Sequence, residues 1–306
     1  MGNSVAGEEK MKSIGLALSV IITTLSLLVS ESNGTEASIL AKIKAATTYI
    51  FIKNAGTFTP SGTGFFVGLK IPSKPSNFDL YLVTAKHALY QPGTNQFLDT
   101  IYISLNKKGG GSELTPVPVT VQGANKTVFV HPDPSVDIAV LPGMPDQKRY
   151  DYRFITDEFL LNKMSAANLK LYEGFEIFYP SLFPGSGGNY PFFRYGRFAL
   201  ITDDQIEWQG KPTSLYLIET GLSGENRGAP VFFFWEDTSG LSGQSRLKLA
   251  GVIQGNFGDV SSEITGKNKA ATPFSNLGIT AVIPGYKLHE ILFGEELRAL
   301  RRKRGF

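Results

Sequence analysis

Two residues far apart in the chain, His87 and Asp137, have the side chains and the local settings that acyl-transfer chemistry needs. His87 follows the alternating apolar run of YLVTAKHAL, so its imidazole belongs at the end of a strand, on the rim of a barrel. Asp137 begins VDIAVLP, where an acid leads directly into an apolar run and its carboxylate sits at the mouth of a strand entering the core. A buried acid needs a partner that bonds it. In acyl transfer that partner is a histidine: the acid fixes its tautomer and stabilises the imidazolium that forms when the base takes a proton. The other two of the three histidines, His131 before a proline and His289 beside Glu290, read as structural.

A nucleophile is the missing third member. SGENRGAPVF, residues 223–232, runs Gly-Ala-Pro into a strand as a Gly-x-Ser-Gly-Gly-Pro turn does, but Arg227 stands where the serine belongs. Arginine stays protonated and offers no lone pair. Ser223, further upstream, is the alternative nucleophile, and using it displaces the side chain by more than the ~1 Å that already costs about 100-fold in rate. Ser186 in PGSGGNYP imitates the motif, but no apolar strand follows Pro191 in the required way. A metal site on His87 and Asp137 lacks a third ligand at metal-like spacing. KKGGGS, residues 107–112, lacks the Lys-Ser/Thr ending of a phosphate loop and reads as a hairpin tip. No cofactor is expected.

The elements that position these residues are short. With 33 Gly, 17 Pro, 22 Phe and 12 Tyr in 306 residues, the chain suits one large all-β domain or two barrels side by side. A short helix from residue 39 feeds a first strand at 47–52, and strand-like runs bounded by turn residues follow at 64–67, 80–84, 101–105, 117–121, 128–130 and 138–141. A second series lies at 175–179, 198–201, 215–219, 231–235, 249–254 and 279–283. Residues 145–170 interrupt this rhythm and mark the passage between halves. GYKLHEILFGEELRALRRKR has the apolar spacing of a closing helix.

Lys10 and Lys12 precede an uncharged apolar run, residues 14–29, followed by small polar residues, which is the pattern of an export signal or, uncleaved, of an anchor over residues 13–30. The chain is therefore expected to be secreted, periplasmic or in the cell envelope. Absence of cysteine excludes disulfides, Cys-ligated zinc and a thiol nucleophile. The net charge of +3 comes from residues 298–306, which hold Arg298, Arg301, Arg302, Lys303 and Arg304. These are either a solvated helix end matched to the helix dipole or a contact for an anionic surface. No basic face with interleaved aromatics marks a nucleic-acid site.

GTGFFVG (62–68), LVTAKHAL (82–89), HPDPSVDIAVL (131–141), RGAPVF (227–232), LAGVIQG (249–255) and GITAVIP (278–284) occur in the order and context of the trypsin-like peptidases. The chain resembles the cysteine-free, bacterial-type members of that family over residues 39–292. The resemblance implies two six-stranded antiparallel β-barrels with a C-terminal helix and an active site in the cleft between the barrels. The matching segments are a signal or anchor at 1–32, an N-terminal barrel at 33–150, a linker and C-terminal barrel at 151–292, and the helix end with its basic tail at 293–306. It makes His87 the general base, Asp137 its orienter and Arg227 the occupant of the nucleophile position. It also puts Glu225 on the glycine whose amide helps form the oxyanion hole, where a side chain removes φ freedom. Two readings stand: an exported homologue without peptidase activity that binds a peptide or protein in the inter-barrel cleft, or a serine endopeptidase using Ser223.

Overall fold

Half-apolar runs bounded by turn residues bury one face and pair laterally. The computed structural model describes residues 37–143, 145–182, 189–220, 226–236, 245–256 and 278–305, apart from the side chain of Pro75. The apolar leader within residues 1–32, and the candidate serines Ser186 and Ser223, lie outside the described residues. Among the described residues no helix is long and apolar enough to cross a membrane.

Helix α1 (37–45) passes into strand β1 (Thr47–Asn54), the turn closed by the Thr47 hydroxyl donating to the Ile43 carbonyl at 2.9 Å. β2 (Thr57–Ile71), β3 (Lys74–Ala85), β4 (Thr100–Asn106), β5 (Ser112–Pro118), β6 (Phe129–Val130) and β7 (Ile138–Pro142) join it in the order β5-β4-β1-β2-β3-β7-β6. The short β8 (Ile155–Thr156) pairs with β2 in parallel. The glycine-rich 107–112 stretch is the tip of the β4–β5 hairpin, where Asn106 faces Ser112. Ile50, Phe66, Leu82, Ile103 and Leu141 pack together in one buried core of this sheet.

Pairing among the described strands leaves β5 and β6 as the ends of the path and does not join them into a ring. β5 carries Pro116 and Pro118, which donate no ladder bond, and β6 is two residues long. The same prolines move the strand expected at 117–121 upstream, to end at Pro118.

The second half is a closed six-stranded antiparallel barrel, ordered β10-β13-β16-β15-β14-β9. Its strands are β9 (Glu176–Leu182), β10 (Pro191–Ile201), β13 (Tyr216–Glu219), β14 (Pro230–Glu236), β15 (Ser245–Asn256) and β16 (Ile279–Pro284). Ile177, Tyr179, Phe198, Ile218, Val231, Phe233 and Val282 meet inside it. β10 starts at Pro191, which corrects the expectation that no such strand follows PGSGGNYP. Its first seven residues are half-buried or exposed and Phe198 is the first buried one, so the core-facing signal starts only there. Between the halves lies helix α2 (Lys163–Asn168), capped by Asn162 accepting from the Ser165 amide at 2.8 Å.

A separate hairpin of β11 (Ile206–Trp208) and β12 (Lys211–Thr213) turns through Gln209 at φ 49° and Gly210 at φ 73°. Two positive φ values in a two-residue loop make a type I′ turn, which matches the twist of the strands it joins. The expected closing helix is two helices, α3 (Gly285–Leu292) and α4 (Glu295–Lys303). The break falls at Gly294, which caps α4 in an extended conformation and where a Cβ would stand 2.8 Å from the Glu290 carbonyl.

Candidate functional site

β3 ends at Ala85 and the chain tightens into a 3-10 turn, Lys86–Leu89, whose Ala88 and Leu89 are buried. That leaves His87 at the rim. Asp137, on the residue before β7, accepts the His87 backbone N–H at 2.9 Å through Oδ1 and bonds the imidazole Nδ1 through Oδ2. The Lys86 N–H donates to the Asp137 carbonyl at 3.2 Å. One aspartate therefore holds both the ring and the backbone that carries it. With Nδ1–H donating to the carboxylate, the neutral ring keeps its lone pair on Nε2. That atom is buried, with no partner among the described residues.

The turn 226–229 is docked between the two halves by its backbone. The Arg227 carbonyl accepts from the Thr63 N–H of β2 at 2.7 Å, the Gly228 N–H donates to the Ile253 carbonyl of β15 at 2.8 Å, and the Ile253 N–H returns to the Ala229 carbonyl at 2.9 Å. Asn226 is buried and accepts from the Ser181 hydroxyl at 2.7 Å. Gly228 sits at φ +86°, and a Cβ there would stand 2.1 Å from the Thr63 carbonyl oxygen. Arg227 Nε lies 3.7 Å from where a Cβ of Gly255 would be, next to the Trp208 ring at 3.5 Å from the same point. The arginine side chain thus crosses the bare backbone of β15.

His87, Asp137 and Arg227 line one cavity of about 460 Å³, with Lys86, Tyr90, Asn95, Pro134, Ser135, Trp208, Gln209, Lys211, Thr213, Gln254, Gly255 and Asn256. The structure brings the three predicted residues together; of Ser223 it describes nothing. Lys86, Trp208, Lys211 and Gln254 are additions that the strand rhythm did not single out. The one cue to the hairpin was WQGK, an x-Gly pair between a large apolar residue and a charge. Among the described residues no cluster of three or more His, Cys, Asp or Glu side chains could hold a metal.

The loop between β6 and β7 forms one wall and carries Asp137. His131 Nδ1 accepts the Asp133 N–H at 3.0 Å while its Nε2 bonds Glu290 of α3 at 2.7 Å, and Asp133 accepts from the Ser135 hydroxyl at 2.7 Å. The Lys86 ammonium donates to the Pro134 and Val136 carbonyls at 2.9 and 3.2 Å. Burial alone would raise both carboxylates, but the bonds from Ser135 hold Asp133 below its ordinary value, and those from His131 and Lys287 do the same for Glu290. A depressed carboxylate stabilises the fold above its unfolded value, about 4, and that contribution is lost as pH falls through the folded value. Hydrogen exchange at the Ser135 amide is accordingly expected to be slow at pH 6 and to lose protection below about pH 4. Equal protection, referenced to a core amide, across that range would show that these carboxylates do not hold the loop.

No family model and no curated protein matches the chain. Solved structures similar to it include two proteases. One is the MamO protease domain from Magnetospirillum magneticum, 15% identical, covering 81% of this chain and 96% of that one, with a TM-score of 0.45. The other is the thermostable serine protease AL20 from an extremophilic microorganism, 11% identical, covering 81% and 94%, with a TM-score of 0.43. At these similarities nothing about the chemistry of this chain follows from theirs.

Proposed function

We propose that the chain is an exported homologue of the trypsin-like peptidases that has lost its nucleophile and uses the cleft between its halves to bind a peptide or protein segment. The observation that carries this reading is the docking of Arg227 through its own carbonyl to Thr63, in the cavity that also holds the His87–Asp137 pair. The base and its orienter are assembled, and the residue the turn presents beside them cannot attack a carbonyl. In subtilisin, loss of the serine alone costs about 10⁶ in turnover. Strand-edge pairing of an extended peptide needs main-chain bonds and no nucleophile. Completion of the first sheet to a second barrel, and removal of residues 1–32 on export, belong to the same reading.

The test is labelling of the chain 33–306 with a fluorophosphonate serine probe, beside Arg227→Ser. The natural chain is expected to stay unlabelled and Arg227→Ser to react. Labelling of the natural chain, mapped to Ser223, would make it a working serine endopeptidase and overturn the reading.

A further inference from the structure

We infer that His131 is a pH-sensitive latch on one wall of the cavity: neutral, it holds the Asp133 turn to helix α3, and on taking a proton between about pH 8 and 5 it releases that turn while keeping α3. The contacts fix its neutral form. The Asp133 N–H donates to His131 Nδ1 at 3.0 Å, so Nδ1 carries a lone pair and the ring proton sits on Nε2, which donates to Glu290 Oε2 at 2.7 Å. The His131 side chain is 9% exposed, which leaves little room for water to replace either partner.

A second proton can go only to Nδ1. There it meets the Asp133 N–H, and two donors then face each other at a distance that suited a hydrogen bond. The Glu290 bond gains from the same proton, because both of its partners are then ionised. One protonation therefore strengthens the hold on α3 and cancels the hold on the turn, and the turn is the side that moves.

The charges around His131 are set so that the latch has somewhere to hold. On α3, Lys287 lies 3.3 Å from Glu290. Burial works against the Glu290 carboxylate, but the bonds from His131 and Lys287 keep it below its ordinary value, so it stays ionised across this pH range. Burial likewise opposes Asp133, and the bonds from Ser135 hold it low. His289, next to Glu290, is drawn below its ordinary value by burial and stacks on Phe293 at 4.3 Å. Towards α4, Lys126 pairs with Glu296 at 2.8 Å. On the other side of the loop, the Lys86 ammonium holds the Pro134 and Val136 carbonyls. Those bonds do not involve His131, so release is confined to residues 131–133, beside the cavity-lining Pro134 and Ser135, and Asp137 keeps its hold on His87.

Amide hydrogen exchange of the full chain, followed by NMR from pH 8 to pH 5 and expressed as protection relative to an unstructured amide, tests this. Protection of the Asp133 amide is expected to fall about fivefold, the weight of one hydrogen bond. The Ser135 amide, which donates to Asp133 Oδ1 at 2.9 Å, is expected to keep its protection over the same range. The 15N shift of His131 Nδ1 should report the gain of a proton in step with the loss at Asp133. His131→Asn keeps an acceptor for the N–H two residues on at every pH, as asparagine does in an Asx turn, and is expected to abolish the fall. His131→Leu offers no acceptor and is expected to show the low-pH value throughout. Asp133 protection that does not change with pH in the natural chain, a fall out of step with the Nδ1 shift, or a fall that persists in His131→Asn would each overturn the latch.

Discussion

Gly228→Ala is expected to be among the most damaging single substitutions in the protein, costing on the order of 4 kcal/mol. Three terms add. An L-residue at φ +86° is strained by about 1–2 kcal/mol. The new Cβ would lie 2.1 Å from the Thr63 carbonyl oxygen, 2.8 Å from the Thr84 hydroxyl and 2.9 Å from the Ala85 amide, so the turn must move away from β2 and β3. Overpacking of that kind costs about 1–3 kcal/mol. Moving the turn also breaks the Thr63 to Arg227 bond of 2.7 Å, worth about 1 kcal/mol. Against a total stability of about 5–15 kcal/mol, the melting temperature should fall by roughly 10 °C. Gly109→Ala, where nothing lies within 4 Å of the added Cβ, is the control and should stay within about 0.5 kcal/mol.

The same substitution tests the site. If the docked turn is what holds position 227 in the cavity, Arg227→Ser gains reactivity toward the fluorophosphonate and the double variant Arg227→Ser/Gly228→Ala does not. Coincident melting curves for Gly228→Ala and the natural protein would show that the turn is not held as described.

How much of this was legible in the sequence depended on how local the signal was. His87 and Asp137 each close or open an apolar run, so strand periodicity places both at strand ends, and a carboxylate entering a core demands a partner. Arg227 was visible because Gly-Ala-Pro before an apolar strand marks a turn, and Arg227 opens it. The hairpin side of the cavity was not legible. Lys211 and Trp208 sit on a hairpin of two three-residue strands, too short to show a period. Gln254 lies near the end of an apolar run and reads as its polar terminus, although the fold buries it. The Gly294 break was a signal missed: Leu292 and Leu297 stand five residues apart, which one continuous helix turns to different sides, and backbone crowding against Glu290 marks the gap.

The basic tail is the second place where a large effect is expected, and it concerns what those charges are for. Asp79 on β3 is 6% exposed and Tyr81 is fully buried. The Tyr81 hydroxyl donates to Asp79 Oδ2, Arg301 Nη1 donates to that hydroxyl at 3.0 Å, and Arg304 Nη1 reaches Asp79 Oδ1 at 3.3 Å. Burial, with Asp79 beside it, pushes the Tyr81 hydroxyl well above its ordinary value, so it remains a donor. Arg302 pairs with Glu295 on α4 itself. Three of the tail's cations are thus engaged within the chain, two of them on the first sheet. Removing a partner from a buried ion pair costs about 3–5 kcal/mol, discounted here because the Arg304 side chain is 36% exposed. Arg301→Ala/Arg304→Ala is expected to lose roughly 3 kcal/mol, about 6–12 °C in melting temperature. Lys303→Ala, which keeps both contacts, should change stability by less than about 0.5 kcal/mol. Asp79→Asn, which retains an acceptor for Tyr81 but drops the charge, should fall between them. If the double variant melts with the natural protein, the arginines do not strap α4 to β3, and an anionic surface outside the chain becomes the better account of their charge.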